Sequence, residues 1–194
     1  MTRSLRPALA LALLALVPPL LSACAPLIIA GAVGGAALVA TDRRSTGAQV
    51  DDTSIETKVG GTLVSRYGER VHITTTSYNG NVLLSGEAPD AAIVADAVAL
   101  ARGTDRVRNV YNEVAVAPNA DLAARTNDSY TTSKVKARFV EANKFSATHV
   151  KVVTERGIVY LMGIVSRAEA DAAAQTAATT SGVTRVVRLF EITG

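Results

Sequence analysis

From Asp52 onward the apolar and polar positions switch between two periods, and they do so twice. Ile55, Val59 and Leu63 fall on one side of a helix at about 100° per residue, as do Val135, Phe139 and Ala142. A strand-like stretch follows each run, Val71 to Tyr78 or Val150 to Thr154. A second strand then returns through Val82-Leu83-Leu84 or Val159-Tyr160-Leu161-Met162. Between the strands, Asn79-Gly80 predicts a type I′ turn, which needs positive φ at both central residues; Arg156-Gly157 is a weaker form of it. Next comes an alanine-rich helix, Asp90 to Arg102 or Arg167 to Thr180, expected to close on a left-handed glycine at Gly103 or Gly182. A last strand completes each copy, Val107 to Val116 or Val186 to Thr193. Asp52 and Asp128, just ahead of the helical periods, read as N-caps.

The two halves are one unit written twice. Asp52-Thr53 and Lys58-Val59 recur as Asp128-Ser129 and Lys134-Val135; Val82-Leu83-Leu84-Ser85-Gly86 recurs as Val159-Tyr160-Leu161-Met162-Gly163. Arg106-Val107 and Val110-Tyr111 recur as Arg185-Val186 and Leu189-Phe190. The expected fold is therefore α+β: two tandem αββαβ units, each with two helices on a three-stranded mixed sheet. The helical crossover makes strands two and three of each unit parallel. A unit this small buries only about 60% of its unfolded surface, so the copies are expected to pack on one another. The boundaries are 51–118 and 127–194, joined by a linker at 119–126.

The chain ahead of the repeats has a different character. Arg3 and Arg6 precede an apolar run from Ala8 to Leu21, and Leu21-Ser22-Ala23-Cys24 follows. This is the layout of a signal peptide over residues 1–23, and the four residues match the lipobox of bacterial lipoproteins. The match implies acylation of Cys24, the only cysteine, and Ala25 after it favours the periplasmic face of the outer membrane. Ala25 to Ala40 is apolar but shorter than the roughly 20 residues a spanning helix needs, and it holds Pro26, Gly34 and Gly35. Residues 24–50 are thus expected to be a flexible tether. Loss of Arg3 and Arg6 takes the formal charge from +3 to +1, which leaves no general nucleic-acid footprint.

Taken together, the lipobox, the Gly/Ala-rich tether and the duplicated turn and strand motifs resemble the BON-domain family, in particular its two-domain outer-membrane lipoproteins. The resemblance covers essentially the whole mature chain. It implies a periplasmic lipoprotein that binds anionic phospholipid (phosphatidylglycerol, cardiolipin) and supports outer-membrane integrity at the division site. It also implies that the lipid contact lies on the first helix of the second unit.

The charges point to the same helix. Asp52 to Pro118 carries eight acids and six bases, net −2; Asp121 to Gly194 carries seven acids and ten bases, net +3. Much of the gain lies in or just after Tyr130 to Ala142. There Tyr130, Lys134 and Ala137 face away from the core side, Lys136 and Arg138 flank them, and Val140 lies at the edge. The expected phospholipid-binding residues are Tyr130, Lys134, Lys136, Arg138, Phe139 and Val140, with Phe139 included although its period places it in the core. An adaptor contacting an outer-membrane assembly machine or the cell wall through this helix is the alternative. Catalysis is not expected: there is no G-x-S-x-G elbow, and Asp90, Asp96, Glu169 and Asp171 read as helix-start or solvated acids. Neither a cofactor nor a metal is expected, since His72 and His149 stand in no ligand spacing.

Overall fold

The computed structural model describes residues 42–193. The expected signal peptide, the acylated Cys24 and the tether up to Thr41 lie outside the described residues. Elements follow in the order α1 (Thr46–Tyr67), β1 (His72–Tyr78), β2 (Asn81–Ala88), α2 (Ala91–Arg102) and β3 (Asn109–Val116). The second copy comprises α3 (Leu122–Ala142), β4 (Val150–Glu155), β5 (Ile158–Val165), α4 (Arg167–Ala178) and β6 (Arg185–Ile192). Each unit is an αββαβ layer with sheet order β1-β2-β3 or β4-β5-β6. The hairpins are antiparallel, and β2–β3 and β5–β6 are parallel. Among the described residues, no helix is long and apolar enough to cross a membrane.

One face of each sheet takes the helices. Ile55, Val59 and Leu63 of α1 pack with Val82, Leu84, Ala97 and Ala101. Val135 and Phe139 of α3 pack with Val150, Val152, Val159, Leu161 and the alanines of α4. Alanine at those α4 positions lets the helix sit close to the sheet, and Phe139 fills the remaining space edge-on to Phe145, with ring centroids 5.0 Å apart. The opposite faces of the two sheets meet each other. Tyr78 and Leu83 of the first unit and Tyr160 and Met162 of the second form one cluster, joined by Tyr111, Val153, Val187 and Leu189. This explains why β2 is buried at every position and β5 nearly so, a pattern that belongs to sheets covered on both faces.

Polar contacts rim this inter-sheet layer. Lys151 Nζ donates to Glu56 Oε1 at 2.7 Å and to the Ser77 carbonyl at 3.1 Å. Glu191 accepts from the Asn79 and Asn81 side-chain amides at 2.9 and 2.6 Å, and Glu113 faces Arg185 at 3.7 Å. Burial, with Glu113 beside it, pushes the Tyr160 phenol up to about 12.

Several local expectations are corrected. The helices begin earlier than their apolar periods suggest: Ser45 caps α1, its hydroxyl accepting from Ala48 N, and Asp121 caps α3, accepting from Ala124 N. Asp52 and Asp128 therefore lie inside helices, buried, and are not caps. Their carboxylates reach across to the hairpin turns instead. Asp52 accepts from Asn79 N and Gly80 N at 2.7 and 2.9 Å, and Asp128 accepts from Arg156 N and Gly157 N at 2.8 and 2.9 Å. Residues 122–126, expected as linker, are the first turns of α3. Gly103 caps α2 with a right-handed φ of −79°, while the left-handed Gly182 lies beyond the Thr179 cap of α4.

The segment before α1, expected as tether, is anchored. Arg44 stacks over the Tyr78 ring at 4.2 Å and pairs with Asp52 at 2.7 Å. Arg43 forks onto Glu169 of the second unit, with Nη1–Oε2 2.7 Å and Nη2–Oε1 2.9 Å. The Arg43 guanidinium, aided by the Ser166 backbone N–H against the desolvation of burial, holds Glu169 down to about 2. Because the folded value lies below the ordinary 4.5, the stability this carboxylate confers is fully present above about pH 4.5 and is lost as pH falls towards 2. Glu169→Gln is therefore expected to lower the urea midpoint at pH 6 and to shrink the difference between pH 6 and pH 3. An unchanged difference would show that other carboxylates set the acid response.

Candidate functional site

Helix α3 buries Asp128, Thr131, Val135 and Phe139 and turns its remaining sides outward. The outward stripe holds two large apolar side chains in water, Tyr130 at 62% and Val140 at 68% exposure, with Ser133, Lys136 and Ala137 exposed beside them. Lys134 sits with its Nζ 4.7 Å from the Tyr130 ring centroid and donates to the Ser181 carbonyl. Arg138 leans onto α4, donating to Thr180 Oγ1 at 3.2 Å. Among the described residues, no carboxylate comes within salt-bridge distance of Lys134, Lys136, Arg138 or Lys144. Four cations in one region without acid partners form an anion-attracting surface.

Of the six expected contact residues, five border this surface. Phe139 does not: it is 0% exposed and belongs to the core, as its helical period implied. Keeping it as a lipid contact is corrected on that ground. Beside the stripe, an open groove of 430 Å³ runs between α3 and α4, lined by Arg138, Glu141, Lys144, Gln175, Thr176 and Thr179. Its α4 wall was not legible in the sequence, because Gln175, Thr176 and Thr179 come from another helix and carry no charge signal.

The duplication supplies an internal control. At the repeat offset, Ser54, Gly60, Thr62 and Val64 of α1 stand where α3 has Tyr130, Lys136, Arg138 and Val140. Val64 is as exposed as Val140, at 69%. The exposed valine is thus common to both copies, whereas the aromatic ring and two of the cations belong to the second alone.

Comparison with known proteins agrees with this architecture. The BON domain profile matches residues 51–118 and 127–194. The chain is 39% identical over 168 residues to the Outer membrane lipoprotein DolP of Haemophilus influenzae, covering 84% of this chain and 87% of that protein. It is 37% identical over 151 residues to a 21 kDa hemolysin of Actinobacillus pleuropneumoniae, with 77% and 78% covered. It is 32% identical over 141 residues to the Osmotically-inducible protein Y of Escherichia coli, with 71% and 70% covered. With its two αββαβ units, each matched by the same profile, the chain belongs to the BON-domain family.

Proposed function

We propose that this outer-membrane lipoprotein, held to the bilayer through acylated Cys24, docks its second BON unit on anionic phospholipid by the outward stripe of α3. The role is non-catalytic. What carries the reading is the contrast between the repeats: on a shared scaffold, only the second copy sets Tyr130, Lys136 and Arg138 around an exposed valine. Tyrosine favours the interfacial zone, and lysine and arginine stems lie along apolar surface with their charges in the headgroups. Each cation near an anionic surface contributes about 1 kcal/mol. Three or four contacts of that size suit reversible docking of a protein already tethered by its acyl chains. The groove between α3 and α4 is wide enough for a headgroup phosphate beside Arg138 and Lys144.

The test is flotation with vesicles, using the chain from Asp42 so that the Arg43 and Arg44 contacts are kept. Binding is expected to rise with phosphatidylglycerol or cardiolipin over phosphatidylcholine and to weaken with salt. Lys136→Glu is expected to reduce it at least about fivefold, and Tyr130→Ala to reduce it further. Lys136 is the better probe than Lys134, whose ammonium also holds the Ser181 carbonyl. Binding indifferent to lipid charge and to Lys136→Glu would favour the adaptor reading. The family resemblance extends the proposal to outer-membrane integrity at the division site. Mid-cell enrichment of a fluorescent fusion, lost with Lys136→Glu, is the expected result there.

A further inference from the structure

We infer that His72, Glu87 and Glu155 form a site for a divalent transition-metal ion, zinc foremost, that bridges the two BON units. The three side chains meet at one end of the inter-sheet layer. His72 and Glu87 are direct cross-strand partners on β1 and β2. Glu155 arrives from the last position of β4 in the other unit. One ligand atom from each lies within 4.8 Å of the other two, and His72 Nε2 is 3.9 Å from Glu155 Oε2.

Burial makes this more than a cluster of acids. Glu87 is 1% and Glu155 6% exposed. Glu87 Oε2 accepts one long hydrogen bond, from Ala120 N at 3.3 Å. Glu155 accepts none among the described residues. A buried carboxylate without a donor is normally avoided, because desolvating its charge is costly unless a cation or donors compensate. The neighbouring charges do not complete the compensation. Arg125 lines the same cleft, but its Nε is directed at the Ala120 carbonyl. Asp128 adds a third negative charge, its oxygens engaged by Arg156 N and Gly157 N. Two buried carboxylates, one from each unit, thus share a single long donor between them, an arrangement that a cation would complete.

The chemistry of the donors selects the metal. One imidazole nitrogen and two carboxylate oxygens suit zinc, which binds both atom types at about 2.0–2.2 Å. They suit magnesium or calcium less well, since those take oxygen ligands. A cleft of 390 Å³, lined by His72, Arg125, Asp128 and Glu155 among others, gives access to solvent. Water can complete the coordination from that side. Because the ligands come from both units, binding would staple one sheet to the other. The histidine and glutamates lie 15 and 68 positions apart, which is why no ligand spacing is visible in the sequence.

The test uses the full chain without a histidine tag, purified in detergent, stripped with chelator and titrated with zinc by calorimetry at pH 7.5. Saturable 1:1 binding is expected, with a melting temperature that rises with zinc concentration. Glu155→Gln keeps the side-chain shape while removing the charge, and is expected to weaken binding at least about tenfold and to remove the thermal shift. His72→Ala should do the same. Absence of saturable binding in the wild-type chain would overturn the inference. So would binding left intact in a folded Glu87→Gln/Glu155→Gln double variant, since the metal would then sit elsewhere.

Discussion

Replacing Asp52 with alanine is expected to lower unfolding free energy by about 3 kcal/mol or more. Asp52 is 2% exposed, and its two oxygens accept four hydrogen bonds. Oδ1 takes Ser77 Oγ at 2.6 Å and Gly80 N at 2.9 Å; Oδ2 takes Asn79 N and Arg44 Nη1, both at 2.7 Å. Burial alone would raise its pKa, but donors from Gly80, Ser77, Arg44 and Asn79 outweigh it and hold the carboxyl below its usual range. Alanine would leave the Asn79-Gly80 turn with two unpaired N–H groups and Arg44 without one of its two carboxylates. That turn needs support, because φ is 52° at Asn79 and 74° at Gly80. Asp128→Ala is the matched experiment. It removes two hydrogen bonds that the carboxylate accepts from backbone N–H groups and no ion pair, so the expected loss is smaller, about 1–3 kcal/mol. Urea unfolding followed by far-UV circular dichroism separates the two. A loss below about 1 kcal/mol for Asp52→Ala, or an equal loss at both sites, would mean that the carboxylate does not organise the turn.

That aspartate also marks what a local sequence pattern does not reveal. Ile55, Val59 and Leu63 announced their buried face through a helical period, and Asn79-Gly80 announced its turn through backbone demands that few residue pairs meet. The true helix starts, at Ser45 and Asp121, precede largely exposed polar turns with no apolar period to mark them. An aspartate standing just before the first visible period therefore reads as a cap. Its actual partners lie across the hairpin, at a sequence distance where no local rule operates. The inter-sheet layer was legible only in part. A unit too small to bury its own surface implied that the copies associate, and the pairing of Tyr78 and Leu83 with Tyr160 and Met162 needed the fold. The α3 surface was the most legible feature, because duplication let each copy serve as the reference for the other. The cluster of His72, Glu87 and Glu155 was invisible for the opposite reason: only its histidine recurs in the repeat, as His149, and its carboxylates do not. At the matching positions Tyr78 stands for Glu155 and Ile164 for Glu87.

The glycines that close the motifs Leu84-Ser85-Gly86 and Leu161-Met162-Gly163 give the second large effect. Gly86 pairs with Ile73 and Gly163 with Val150, and in each case a Cβ would run into a backbone carbonyl of the neighbouring chain segment, that of His72 at the start of β1 or of His149 just ahead of β4. A backbone carbonyl cannot move aside as a flexible side chain would, so the strands must separate or the new methyl must distort them. Overpacking of this kind costs about 1–3 kcal/mol, which is the expected loss for Gly163→Ala. Gly86 has a second reason to be glycine, a φ of +113°, and a side chain held in so sparsely populated a region adds about 1–3 kcal/mol. Gly86→Ala is therefore expected to lose about 2–6 kcal/mol, more than its counterpart in the second unit. Both are read from urea midpoints at constant slope. A Gly86→Ala chain no less stable than Gly163→Ala would mean that backbone relaxation removes the strain. Because His72 and Glu87 flank this contact, the same substitution should also displace the metal-binding end of the inter-sheet layer, whereas Gly163→Ala, next to His149, should leave zinc affinity unchanged. The two repeat-equivalent glycines thus separate a loss of stability common to both units from a loss of metal binding confined to the first.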